Sequence, residues 1–136
     1  MTFRYQAGLH SVGSYQVSGV PWVTGSGENG LAAGDEHRID FPSVAKSVTV
    51  INVDPGATAT LRVHFNSKDA AGNVIAGNHF VPLGLEYQSL EVQMKCTEIF
   101  ISAPAAGTAC SYVVLASLTG IDKTQMFPLT GSGLTD

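Results

Sequence analysis

Helical periodicity is almost absent from these 136 residues: Gly and Pro recur about every ten residues, and the stretches between them are short and rich in Val, Ile, Thr, Tyr and Phe. Apolar residues repeating at three and four positions are what a helix needs to bury a stripe, so their absence removes helical bundles and α/β folds from consideration. Short β-branched runs separated by turn residues define an antiparallel sandwich or barrel.

Three runs alternate strictly. In Thr60 to Asn66, Leu61, Val63 and Phe65 face one way and Arg62, His64 and Asn66 the other. Leu90 to Lys95 sets Leu90, Val92 and Met94 against Glu91, Gln93 and Lys95, and Glu36 to Phe41 offers His37, Ile39 and Phe41 to one side. Each predicts a half-buried strand whose other face meets water or a partner. Val48 to Val53, Ile99 to Ile101 and Tyr112 to Leu118 are apolar on both sides and predict more central strands. Asp54-Pro55-Gly56, Lys68 to Asn73 and Ala103 to Gly107 supply turn chemistry. With strands near Tyr15 and Val20, eight or nine are expected, in jelly-roll or immunoglobulin-like order.

The organisation predicted is one domain in three parts: a glycine-rich N-terminal arm over 1–34, a sandwich core over 35–120 and a tail over 121–136. In the tail, Met126, Phe127 and Leu129 are apolar anchors that either fold back on the domain or dock on a neighbour.

Composition narrows the function. Charged residues make up only 13% of the chain, so much of the surface is uncharged and sticky, which calls for partners. A net charge of −4 opposes attraction to a phosphate backbone, so nucleic acid is not expected. The opening Met-Thr-Phe-Arg-Tyr-Gln has no apolar signal region, and the longest apolar run, Tyr112 to Ala116, is far short of a membrane span. A cytosolic origin follows as the expectation, and there Cys96 and Cys110 read as small buried hydrophobes.

No catalytic constellation emerges. Gly25-Ser26-Gly27-Glu28-Asn29-Gly30 satisfies the spacing of a dinucleotide-binding turn, but the glycine-broken Leu31 to Asp35 that follows cannot form the helix whose N-terminus would hold a phosphate, so a loop is expected. His10, His37, His64 and His79 lack metal-ligand spacing and are read as hydrogen-bonding surface or interface residues; neither cysteine belongs to a Cys-x-x-Cys pair. No nucleophile elbow and no paired carboxylates occur. The expectation is a non-enzyme without metal or cofactor. Trp22 and the tyrosines could instead stack on sugar rings, which keeps a carbohydrate-binding surface module as an alternative.

Ser14-Tyr15-Gln16-Val17-Ser18-Gly19 with Pro21-Trp22-Val23-Thr24-Gly25-Ser26, then Val48 to Asn52, Val63 to Ser67, and the closing Leu129 to Asp136, resemble a family of small virion structural proteins of tailed bacteriophages, especially marine and cyanobacterial ones. The resemblance spans most of the chain and rests on structural motifs. It implies a capsid decoration, or cement, protein: a β-rich subunit, often trimeric, that sits on the virion and clamps neighbouring major capsid proteins. On that reading the arm, with Phe3, Tyr5, Tyr15 and Trp22, and the tail, with Met126, Phe127 and Leu129, contact partners. A tail, neck or baseplate component is the alternative within the same family.

Overall fold

The structure, a computed structural model, describes residues 19–68, 74–126 and 129. It is all-β: the described residues form seven antiparallel strands and one short 3₁₀ turn, Lys123–Gln125. The strands are β1 (Val20–Gly25), β2 (Glu36–Asn52), β3 (Leu61–His64), β4 (Val81–Leu83), β5 (Ser89–Val92), β6 (Cys96–Ser102) and β7 (Tyr112–Leu118). Their order in the sheet is β1-β7-β2-β6-β3-β4, with β5 also paired to β2.

The organising element is β2. Glu36 to Phe41 and Val48 to Val53 were expected as two strands; all of the first and Val48 to Asn52 of the second belong to one run of 17 residues that passes through Pro42. β5 and β6 follow one another along the same edge of β2, pairing Ile51 to Val48 and then Ala45 and Asp40 to Glu36, with the register shifting between Asp40 and Ala45. That shift is where the ladder is broken anyway, so a proline without an N–H is accommodated there. β7 pairs only with the second part of β2, from Ala45 to Asn52.

The long ribbon cannot be straight. His37 and Asn52 would stand roughly 50 Å apart along an extended strand at about 3.3 Å per residue. Yet Tyr112, the register partner of Asn52, brings its hydroxyl to 2.8 Å from Nδ1 of His37. The ribbon therefore doubles over, as strands that change layer at a bulge do in sandwiches. One layer is β1-β7-β2-β5, built on the second half of β2; the other is β2-β6-β3-β4, built on the first half. Hydrogen bonds stitch the bend to the turn after β7: Val44 N–H donates to the Ile121 carbonyl and Thr119 N–H to the Val44 carbonyl.

The core lies between the layers. Ile39, Phe41, Val48 and Val50 from β2, Leu61 and Val63 from β3, Ile99 and Ile101 from β6, and Tyr112, Val114, Ala116 and Leu118 from β7 form one buried cluster. Leu90, Val92 and Met94 pack against it from the side that alternation assigned to them. Both cysteines are buried and free. β1 pairs along all of Val20–Gly25 with β7, and Leu31, fully buried, bridges to Cys110. Of the eight or nine strands expected, seven occur in the described residues; the one expected near Tyr15 lies outside them.

Candidate functional site

β7 is apolar on both sides in the sequence, but only one side is covered. Tyr112, Val114, Ala116 and Leu118 are buried, whereas Leu115 is 47% exposed and Val113 and Ser117 are half-buried. Register then dictates what stands beside them. Leu115 is flanked by Val23 of β1 and Thr49 of β2, and Thr49 by Glu91 of β5. Val113 is flanked by Gly25 and Ile51, and Ser117 by Pro21 and Ser47.

Side chains two apart on a strand share a face, so these rows form the outer surface of the first layer. Val23 is 64% exposed and Ile51 37%. Pro21, Ser47, Thr49, Glu91, Leu115 and Ser117 line a shallow depression of about 290 Å³ on this face. Glu91 is the one charged side chain in the three rows, it is exposed, and it makes no ion pair among the described residues. The face is thus apolar in its middle, hydroxyl-bearing along one side and acidic at one corner.

Of the residues expected to touch partners, Trp22, Met126 and Leu129 are described. Trp22 points to the inner side of β1, where its ring meets Phe41 edge-on at 5.2 Å and an interplanar angle of 88°, packed against the core. The ring is half-buried in that seat. Met126 is half-buried at the end of the 3₁₀ turn, its N–H bonded to the Lys123 carbonyl, and Leu129 is half-buried. Phe3, Tyr5, Tyr15 and Phe127 lie outside the described residues. Sequence reasoning missed Val23, Ile51, Glu91 and Leu115. The signal available was the two-sided apolar character of Tyr112 to Leu118, read there as a strand covered on both faces.

Among the described residues no group of three His, Cys, Asp or Glu side chains could hold a metal ion. Burial pushes the Cys96 thiol up to about 12, far from a reactive thiolate. The Gly25 to Gly30 segment is a tight turn leading out of β1 into the Leu31 bridge: Gly30 N–H donates to the Gly27 carbonyl, and Asn29 N–H to the Ser111 hydroxyl. Gly30 is required there, because a Cβ would sit 1.9 Å from the Ser26 carbonyl oxygen.

His64 departs from expectation. Alternation assigned it to the polar face, and the geometry agrees about the face, since Val63 and Ile101 turn inward while His64 and Phe100 stand opposite each other on the outer side of the second layer. It is nevertheless fully buried, stacked on Phe100 with centroids 6.1 Å apart. His37 bonds to Tyr112 across the layers, and His79 is exposed.

The chain matches no model of a known protein family, and no curated protein matches it.

Proposed function

We propose that this protein is a non-catalytic docking module, and that its role is the one its sequence resemblance implies: a virion decoration protein that joins neighbouring capsid subunits. The observation that carries the proposal is the outer face of the first layer. Val23, Leu115 and Ile51 present contiguous apolar surface on a rigid four-stranded support, in a chain with few charges to keep such a surface apart from others. A sheet fixes these side chains in register, so they offer a partner little conformational entropy to lose.

The chemistry of the face also describes its occupant. Apolar side chains would settle over Leu115 and Pro21, and a lysine or arginine of the capsid subunit would meet the exposed Glu91 beside the Ser47, Thr49 and Ser117 hydroxyls. A cement protein works by binding energy alone, so contact area on several neighbours is its whole mechanism. A tail, neck or baseplate position would use the same face with fewer copies.

The test is a paired variant, Val23→Glu with Leu115→Glu, assayed for co-sedimentation with the capsid shells of the phage that encodes the protein. Both positions are exposed, so the melting temperature should change by only a few degrees while binding falls at least tenfold. Wild-type binding by the folded variant would remove this face from the function. Copy number in purified particles then separates the two locations: near parity with the major capsid protein places it on the head, and a dozen copies or fewer on the neck or tail.

A further inference from the structure

The one Asn-Gly pair of the sequence, Asn29-Gly30, lies in the turn that leads from β1 to the Leu31 bridge, and both residues are exposed. Asn29 has a φ of 51°, a left-handed backbone that asparagine adopts more readily than most residues. Gly30 follows by necessity, since a Cβ there would sit 1.9 Å from the Ser26 carbonyl oxygen. The fold thus requires, next to this asparagine, the residue whose backbone nitrogen is least hindered from attacking the asparagine side chain.

That nitrogen is lightly held. Gly30 N–H donates to the Gly27 carbonyl at 3.3 Å, a long bond, and the same carbonyl accepts from the Ser26 hydroxyl at 2.8 Å. When the 29–30 peptide plane swings, which the freedom of glycine allows, Gly27 keeps a partner and the exposed Gly30 N–H meets water. The other described asparagines differ. Asn52 is buried, the N–H that follows Asn66 is bonded to that residue's own Oδ1 at 2.9 Å, and the N–H that follows Asn78 is bonded to the Val74 carbonyl at 2.9 Å.

We propose that Asn29-Gly30 is a site of spontaneous deamidation, and that its isoaspartyl product unfastens this turn from the segment leading into β7. The Gly30 nitrogen, its proton passing to hydroxide, bonds to Asn29 Cγ; the Cγ–Nδ2 bond breaks, and ammonia leaves with a proton taken from water. Because the two groups belong to neighbouring residues, the reaction is intramolecular and closes a five-membered succinimide. Water then opens the ring. Cleavage of the bond from Gly30 nitrogen to Cγ leaves aspartate, which suits the same φ. Cleavage of the bond to the main-chain carbonyl carbon leaves isoaspartate, whose backbone runs through Cβ and Cγ and is one carbon longer.

The turn is fastened on both sides of that added carbon. Asn29 N–H donates to the Ser111 hydroxyl at 2.8 Å, while Leu31 donates to the Cys110 carbonyl at 3.0 Å and accepts from the Cys110 N–H at 2.8 Å. Two adjacent residues thus fix the ends of a short span, and the Ser26 carbonyl closes one side of it at Gly30. A longer backbone between these anchors displaces them, and Leu31, which is fully buried, loses its fixed seat. The aspartyl product leaves the backbone length and the anchors as they are.

The test uses the full chain alone, aged at pH 8.5 and pH 6 beside a synthetic peptide of residues 24–34, then digested with trypsin for mass spectrometry. The fragment 5–38, in which Asn29 is the one asparagine, should gain about one dalton at residue 29, faster at the higher pH, while Asn52, Asn66 and Asn78 stay intact. Asn29→Gly, whose glycine suits the positive φ, should show no such gain. In the isoaspartyl form, separated by ion exchange, amides of residues 26–31 should exchange at least about tenfold faster than in unaged protein, and in the aspartyl form at the unaged rate. A folded chain still intact at residue 29 once the peptide has been converted overturns the site. An isoaspartyl form that exchanges like unaged protein overturns the unfastening. Neither result depends on the docking face, since no partner is present.

Discussion

The carboxamide of Asn52 donates to the carbonyl oxygens of Ala59 and Leu83, both at 2.9 Å, while its oxygen accepts from the Asp54 N–H at 3.1 Å. It is buried at the end of β2, and through those bonds one side chain shapes the Asp54-Pro55-Gly56 turn and ties it to β4 in the second layer. Asn52→Asp would aim a carboxylate oxygen at two carbonyls without water to screen them. The loss should be at least about 3 kcal/mol at neutral pH, read from urea unfolding, and should shrink in acid as the carboxyl is protonated. Asn52 and His64 were illegible in sequence for the same reason. Both sit in ordinary β contexts, and their partners come from segments whose approach only the folded chain defines.

Among the elements, β1 and β4 end the sheet, and each contains a proline, Pro21 and Pro82. Ladder bonds alternate in direction along a strand. Ser26, just past β1, directs its N–H to Tyr112 on β7, so Pro21, five residues earlier, turns its nitrogen toward the free edge. An incoming strand finds no donor there, which blunts edge-to-edge association and leaves the sheet face as the surface open to partners. Pro21→Thr restores the donor and should raise self-association several-fold in dynamic light scattering at equal concentration, with stability within about 1 kcal/mol of wild type. Strand positions were largely readable: Tyr112 to Leu118 forms β7 from end to end, and Leu61 and Val63 face the core as their alternation requires. The union of Glu36 to Phe41 with Val48 to Asn52 was not, because Pro42 reads as a breaker unless the ladder is already shifted at that point.

For the molecule as a whole, β2 and the β5–β6 run belong to both layers, so neither layer can separate without the other losing its central strands. Unfolding at pH 7.5 should thus be a single transition, with Trp22 fluorescence and far-UV circular dichroism giving the same urea midpoint; two resolved midpoints would show that the layers are independent. The sequence by itself determined the all-β class, the strand periods and the inward side of each alternating strand, because those depend on local backbone preference and a two-residue repeat. It did not determine which outward sides would be covered. Leu115 is apolar and lies open, whereas His64 is polar and lies buried, since burial depends on what the rest of the chain brings to a face, and that is settled only by how one bent ribbon folds onto itself.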